Sequence, residues 1–181
     1  NSSTLSLTDE SYTDLAGNFG PDNQTANYEI DTKEPTVSSV EITSATGKQN
    51  NFVNAGDNVS VTATFREAVI VDNSSGTPII TLAVGSDNRT ATYTSGDNST
   101  ALVFRYTIQS GDNDTNGISI GANALDDNSS TISDPAGNIP DNLTHSAVPD
   151  NSSVKVDTTP PSVDNFTMSD TELKIGDNAT V

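Results

Sequence analysis

The chain has 181 residues, no cysteine and a net charge of -18, with 25 Asp and Glu against 7 Lys and Arg. The lack of cysteine excludes disulfides and thiolate metal sites, and the negative field disfavours nucleic acid and anionic membranes as partners. Only 31% of the residues are hydrophobic. That composition also occurs in disordered chains, but regular alternation of β-branched residues favours ordered β-structure. No run of about 18 apolar residues occurs, so we expect no direct membrane insertion in this segment.

Short motifs recur along the chain at a long spacing. The sequence TDLAGN at 13–18 returns as SDPAGN at 133–138, 120 residues later, and the proline linker DTKEP returns as DTTPP. This spacing is longer than a solenoid repeat and matches a whole domain. We therefore expect a tandem array in three parts: the end of one repeat at 1–36, a complete repeat at 37–157, and the first strands of a third at 158–181.

Within the complete repeat, short alternating runs are separated by Gly, Asn and Asp. The expected strands are 39–42, 59–65, 78–84, 90–94, 101–108, 118–120 and 154–156. In the two clearest runs the apolar side chains share one face, and these inward positions are Val59, Val61, Ala63, Phe65, Leu102, Phe104, Tyr106 and Ile108. One buried face is typical of antiparallel sheets. Short strands with turn residues between them, and no helical periodicity, predict an all-β fold and a β-sandwich.

Asparagine occurs in an unusual context. Twelve of the 20 asparagines begin an Asn-x-Ser/Thr triplet, the acceptor for N-linked glycans. Chance placement among the 48 Ser and Thr gives about five. The twelve acceptors are Asn1, Asn23, Asn58, Asn73, Asn88, Asn98, Asn113, Asn128, Asn142, Asn151, Asn165 and Asn178.

The residue before each acceptor strengthens this interpretation. All eleven triplets that have a preceding residue have Asp there, and none of the other eight asparagines follows an Asp. Turn preference explains Asp and Asn in loops, but it does not explain their coupling to a Ser or Thr two residues later. We therefore expect covalent N-glycans on an extracellular surface. The alternative is that the turns simply accumulate these residues.

Several motifs, in their order along the chain, resemble a known family. The sequences NAGDNVSVTATFREAV, LVFRYTIQSGDNDTNGISI, SDPAGN and SSVKVDTTPP resemble the bacterial immunoglobulin-like repeats of giant secreted adhesins and cell-surface proteins. The resemblance covers 37–157 nearly end to end. It implies immunoglobulin-like β-sandwich repeats that act as an extender or stalk and are frequently rigidified by calcium. Dense Asp-Asn-x-Ser/Thr triplets are not a general feature of that family.

Oxygen-bearing side chains at the ends of predicted elements are candidates for a calcium site, since Ca²⁺ takes roughly six to eight hard oxygen ligands. Glu67 follows a predicted strand, Asp134 and Asn138 flank the AGN turn, and Asp31 and Asp157 begin the two proline linkers. We expect such residues to converge at a domain end and fix the interdomain angle. The alternative is turn capping for the residues of the AGN turn and a solvated charge for the linker.

A second calcium candidate lies at 112–117, where D-x-D-x-N-G resembles the opening of an EF-hand loop. Asn123 occupies the twelfth position, where such a loop has a bidentate Glu. A glycan on Asn113 would also crowd the loop. A closed EF-hand site is therefore disfavoured.

We expect no enzymatic activity. His145 is the only histidine and lies in a polar Thr-His-Ser context without a nucleophile motif, so a surface position is expected. Asp126 and Asp127 are adjacent and would point to opposite faces of a strand, which prevents them from acting as an acid/base pair.

Together these features predict a structural extender in a heavily N-glycosylated protein of the cell surface or of an extracellular filament. Its expected partners are neighbouring repeats of the same polypeptide or identical subunits. Three alternatives are a module that binds carbohydrate or a host surface, a subunit of an acidic surface-layer lattice, and a spacer beside a secreted hydrolase. The absence of Trp and the inward positions of most aromatic residues disfavour the binding module.

Overall fold

A computed structural model describes residues 2–3, 6–7, 12–21, 23–25, 28–165, 167, 172 and 174–176. These residues form strands, turns and irregular segments, so the predicted all-β class is confirmed. The strands are β1 (Ser2–Ser3), β2 (Ser6–Leu7), β3 (Asn23–Gln24), β4 (Tyr28–Glu29), β5 (Val37–Ala45), β6 (Phe52–Val53), β7 (Asn58–Asp72), β8 (Ile79–Val84), β9 (Asp87–Ser95), β10 (Ser99–Thr107), β11 (Asn113–Asp114), β12 (Leu125–Asp126), β13 (Thr131–Ser133) and β14 (Lys155–Asp157). No helix in the described part of the chain is long and apolar enough to span a bilayer.

β7 is the central strand of the larger sheet. Its first half pairs antiparallel with β5 on one side and with β10 on the other. Val59, Val61 and Ala63 on one face are fully buried. On the other face, the hydroxyls of Thr62 and Thr43 hydrogen-bond across the strands at 3.0 Å. The alternating sequence of β7 therefore supplies one face to the core and one to polar cross-strand contacts.

Two sheets contribute to one core. The larger sheet has the order β12-β8-β9-β10-β7-β13, with β5 beside the first half of β7. The smaller sheet, β11-β14-β6, contains the one parallel pair among the described strands, β14 with β6. Val53 of β6 and Val156 of β14 are buried in the same hydrophobic cluster as Phe104 of β10. β14 therefore packs against the strands of the larger sheet. Two further pairs, β1 with β4 and β2 with β3, lie in the first thirty residues.

β7 is irregular near its middle. On the side of β10, Thr64 pairs with Ala101 and Val69 pairs with Ser99, so four residues of β7 lie opposite a single residue of β10. An irregularity of this kind bends a strand and strengthens its local twist. On the other side of β7, β5 pairs with the first part of the strand and β13 pairs with the last part. Glu67 lies within this bulge, which places a carboxylate beside the edge where β7 leaves one partner for another.

One predicted strand forms differently. The run 118–120 makes two isolated bridges, Ser119 with Ala83 and Ile120 with Val148, and no continuous ladder. Glycines flank this run on both sides, and Gly117 has a φ of 114°, a left-handed conformation that interrupts a strand. The short strands β6, β11, β12 and β13 carry too little alternation to be predicted from the sequence.

The buried face of β10 predicts a stability difference between neighbouring residues. Phe104 is fully buried, and its ring meets Tyr93 edge-on with 6.0 Å between the ring centroids. We expect Phe104→Ala to lower the free energy of unfolding by about 3–5 kcal/mol, because it removes buried surface and leaves a cavity. Arg105→Ala, on the exposed face, should change it by less than about 0.5 kcal/mol. Urea unfolding of both variants checks this, and equal losses would contradict the assignment of the two faces.

Candidate metal centre

The loop from Asp134 to Asn138 is closed by its own hydrogen bonds. Oδ1 of Asp134 accepts the backbone N–H of Asn138 at 2.8 Å, and Oδ2 accepts the side-chain Nδ2 of Asn138 at 2.7 Å. The Gly137 N–H donates to the Asp134 carbonyl at 3.1 Å. Gly137 has a φ of 92°, which a residue with a Cβ rarely adopts. The D-x-A-G-N sequence is therefore a structural unit that holds a buried aspartate in one orientation.

The earlier copy of this motif folds in the same way. Asn18 donates its backbone N–H and its Nδ2 to the two carboxylate oxygens of Asp14, at 3.0 and 2.8 Å. Gly17 has a φ of 86° and donates its N–H to the Asp14 carbonyl. The two copies of the motif, 120 residues apart, therefore form the same hydrogen-bonded turn.

Glu67 contributes a half-buried carboxylate. Its Oε1 atom is buried and has no hydrogen-bond donor in the described part of the chain. A buried carboxyl oxygen without a donor is costly unless a cation or water compensates it. It is the one such side-chain atom among the described residues.

The first linker brings a third carboxylate to the same place. Asp31, Glu67 and Asp134, here called the acidic cluster, each have a carboxylate oxygen within 4.8 Å of the others. Nδ2 of Asn138 also donates to the Asp31 carbonyl at 3.2 Å, and so ties the linker to the D-x-A-G-N loop. A cleft lined by the linker, the β7 bulge and Pro135 opens beside these groups.

The acidic cluster combines exposure with burial. Asp31 is exposed, Glu67 is half-buried and Asp134 is only 1% exposed. Burial by itself raises the pKa of Asp134, but hydrogen bonds from the side chain and backbone of Asn138 and from two further N–H groups outweigh it, so the net pKa is lowered. The Asp134 carboxylate is therefore held in its charged form, beside two other acidic groups.

The structure brings four of the five predicted metal residues together and leaves one apart. Asn138 uses its amide nitrogen to bridge Asp134 and the Asp31 carbonyl, which makes it a positioning residue. Asp157 instead lies beside Asn54, just before β7 begins. Glu67 lies nine residues after Asn58, the first residue of β7, and Asp157 is not part of the acidic cluster.

The carboxylates of the D-x-D-x-N-G sequence are occupied by donors from the protein itself. Asp112 accepts bonds from the Tyr106 hydroxyl at 2.5 Å, the Gln109 N–H at 2.9 Å and the Arg89 Nε at 2.7 Å. Oδ1 of Asp114 accepts the N–H groups of the next turn, and its Oδ2 accepts the Gly85 N–H. Both aspartates are buried. These hydrogen bonds stabilise the loop.

Sequence reasoning did not find the network around Asp112. Burial raises the pKa of Tyr106 to about 12, with the Asp112 carboxylate adding to the effect. Burial also acts to raise the pKa of Asp112, but the bonds from Tyr106, Gln109 and Arg89 outweigh it and lower the net value. The alternation along β10 predicted an inward Tyr106, whereas its partner comes from a loop that no local pattern connects to it.

His145 has a structural environment. Its Nε2 accepts the backbone N–H groups of Ala124 at 2.8 Å and Leu125 at 3.2 Å, and its Nδ1 lies 2.8 Å from the Ser146 carbonyl. Because Nε2 accepts these two N–H groups, Nδ1 is the ring nitrogen that donates to the Ser146 carbonyl. The side chain is half-buried instead of lying free on the surface.

Most predicted glycan acceptors are on the surface. Asn1 and Asn178 lie outside the described residues, and for Asn23 only the backbone is described. Two acceptors, Asn58 and Asn151, are half-buried. The exposed acceptors are Asn73, Asn88, Asn98, Asn113, Asn128, Asn142 and Asn165.

Comparison with known proteins adds no relative. Neither a protein-family model, nor a curated protein, nor a solved structure matches the chain.

The buried aspartates predict a defined response to acid. Asp112 and Asp134 have pKa values below the ordinary 3.8 in the folded state. Each therefore contributes stability that is fully present above that pH and is lost as the pH falls through the folded-state pKa. Without divalent cations, the free energy of unfolding should be flat above about pH 5 and fall below about pH 4.

Asp134→Asn should reduce the acid-dependent fall in the free energy of unfolding. Asp127→Asn, whose exposed carboxylate has no hydrogen-bond partner among the described residues, is the matched control and should keep the wild-type fall. Urea unfolding at a series of pH values measures both. An unchanged pH profile in Asp134→Asn would contradict the role given to this carboxylate.

Proposed function

We propose that the chain is a structural link in an array of extracellular immunoglobulin-like β-sandwich domains, stiffened by Ca²⁺ at a domain end and covered with N-linked glycans. The buried, unpartnered Oε1 of Glu67 beside Asp31 and Asp134 carries the calcium part of this proposal. Elsewhere the fold satisfies its buried carboxylates, as at Asp112 and Asp114. A site that gathers three acidic groups and leaves one buried oxygen without a donor fits a cation.

The donor set favours a hard divalent cation. Three carboxylates supply up to six oxygens, and carboxylate oxygens that already accept one hydrogen bond keep a second lone pair. Ca²⁺ accepts flexible sets of about six to eight oxygens, whereas Zn²⁺ prefers nitrogen and sulfur ligands. The chain has no cysteine, and its single histidine uses both ring nitrogens elsewhere. Bound Ca²⁺ would supply the positive charge that the acidic cluster lacks.

The position of the acidic cluster explains why binding there would stiffen an array. Asp31 belongs to the linker, while Glu67 and Asp134 belong to the body of the complete domain. Bridging them ties the linker to the domain end, close to Pro35, which itself restricts the backbone. Glu34 adds a contact of the same kind, because its carboxylate accepts the Asp141 N–H.

The internal repeat extends this arrangement along the array. Asp157 begins the second proline linker, as Asp31 begins the first. Each accepts the N–H of the residue two positions later, Lys33 at 3.0 Å and Thr159 at 2.9 Å. In the proposal, Asp157 serves the next domain as Asp31 serves this one.

The surface supports the glycosylated part of the proposal. Seven acceptor asparagines are exposed, and none of their side chains is needed to fill the core. Hydrophilic glycans at such positions would shield the acidic walls of the domain. Glycopeptide mass spectrometry of protein from its source organism tests this, and unmodified acceptors throughout would refute it.

Calcium should raise the stability of the chain. At a hundredfold excess of free Ca²⁺ over its Kd, binding to the folded state alone adds about 2.7 kcal/mol. For a domain of this size that corresponds to roughly 5–10 °C in Tm. Calorimetry with Ca²⁺ and after chelation measures the shift, and Mg²⁺ gives the comparison with a smaller cation.

Glu67→Gln should abolish the calcium response while retaining the shape of the side chain. It should not destabilise the chelated protein, because it removes one of three neighbouring negative charges. Glu41→Gln, at an exposed position of β5, removes the same charge elsewhere and should keep the full response. A wild-type Tm that chelation leaves unchanged would remove calcium from the proposed function.

A further inference from the structure

The aspartate before each acceptor asparagine raises a question that the structure can address. The inference rests on the proposed glycosylation. Asp precedes the acceptor in all eleven triplets that have a preceding residue. If the fold itself required Asp at these positions, the side chains would share a structural role. If the aspartate is instead recognised by a partner, the hydrogen bonds of its side chain should differ from one triplet to the next.

The contacts of these aspartates differ throughout. Asp57 accepts the N–H of Asn54, three residues earlier, at 2.9 Å. Asp97 accepts the N–H of Val71, a distant part of β7, at 2.9 Å. Asp112 is buried and accepts bonds from a phenol, a guanidinium and a backbone N–H. No shared hydrogen bond accounts for the same residue at the same place in each triplet.

Three of the described aspartates in these triplets, Asp127, Asp141 and Asp164, have no hydrogen bond to the side chain from a described residue. Asp127 and Asp141 are exposed, and no described residue donates a hydrogen bond to either carboxylate. Among the described residues, Asp127 accepts hydrogen bonds at its backbone carbonyl, and Asp141 donates one from its backbone N–H. Asn or Ser would serve these two positions equally well in the fold.

The triplets also lack a common backbone shape. Asn58 and Asn88 lie in strands β7 and β9, whereas Asn98 and Asn128 have left-handed φ values of 55° and 48°. An enzyme that recognised the folded surface would meet a different conformation at each site. What the triplets share is their sequence alone.

One triplet is partly enclosed in the folded sheet. Val59, the middle residue of the Asn58 triplet, is fully buried in β7 between β5 and β10. The Asn58 Oδ1 also accepts a bond from the Thr107 hydroxyl at 2.8 Å. An active site could enclose this triplet only before the three strands assemble.

We propose that the aspartate is a recognition element for the glycosylating enzyme, which binds it through a cationic side chain while the chain is extended and not yet folded. In an extended chain, alternate side chains point to opposite sides. The acceptor amide and the Ser or Thr hydroxyl two residues later share one side, and the preceding carboxylate lies on the other. The partner is therefore an enzyme whose peptide groove has its catalytic centre on one wall and an Arg or Lys on the opposite wall.

The transfer itself uses an activated sugar. The acceptor Nδ2 forms a bond to the anomeric carbon of a sugar-diphosphate donor, and the bond from that carbon to the phosphate oxygen breaks. The electron pair leaves with the phosphate, and one amide proton passes to a base of the enzyme. The aspartate takes no part in these bonds, since it fixes the position and register of the acceptor.

Asp141→Asn and Asp127→Ser test the recognition role without removing a hydrogen bond, because no described residue donates one to either carboxylate. Ser is used at position 127 because Asn there would form a new Asp-Asn-x-Ser triplet with Asp126 and Ser129. Each variant is expressed in the source organism, and occupancy at each acceptor is measured by glycopeptide mass spectrometry. Asp141→Asn should lower the ratio of modified to unmodified Asn142 about tenfold or more, the effect of one lost hydrogen bond to a charged group. Asp127→Ser should do the same at Asn128.

Each variant contains its own controls. The triplet that still has its aspartate should keep wild-type occupancy, and the Tm of the unglycosylated variants should match wild type. Asp126→Asn removes an acid two residues before Asn128 and should leave occupancy there unchanged, which locates the recognised position.

Full occupancy at both altered triplets would overturn the recognition role while leaving the glycosylated surface intact. A wild-type protein without glycans would instead refute the proposed glycosylation and this inference with it.

Discussion

The architecture depends on the two-sided pairing of β7 and on its interruption. The first half of β7 is paired on both sides, by β5 and β10, and its apolar face is fully buried. Four residues then bulge past a single residue of β10, and the strand continues beside β13. Because the first half of β7 is paired on both sides, its register is fixed, and this also fixes the residue at which the bulge begins. Glu67 lies there, so the geometry of the acidic cluster follows from the pairing of the sheet.

Buried carboxylates in this protein fall into two groups with different physical consequences. Asp112 and Asp114 are surrounded by donors, so burial and charge are reconciled within the chain. In the acidic cluster the donors are incomplete, because Oε1 of Glu67 accepts no hydrogen bond in the described part of the chain. Internal hydrogen bonds hold Asp134 in its charged form beside Glu67. The first group stabilises loops, and the second provides the strongest chemical basis for a ligand.

The proposed functions use different parts of the same domain. The core and the strand pairings provide a rigid body, the acidic cluster ties a linker to one end of it, and the turns carry most of the exposed asparagines. These roles compete little for residues, since exposed turn positions contribute nothing to the core. High negative charge is compatible with this division, because many of the aspartates lie in the turns beside the acceptors.

The sequence by itself determined the class of the fold and the inward faces of β7 and β10, since a period of two is a local property that burial reinforces at each residue. It also identified Asp31, Glu67 and Asp134 as candidates, because they lie at the ends of elements and in a repeated motif. Only the tertiary structure decided that these three converge, that Asp157 is not part of the acidic cluster, and that Asp112 turns inward to Tyr106. Those outcomes depend on strand pairing between distant parts of the chain and on one bulge, and no local pattern encodes either.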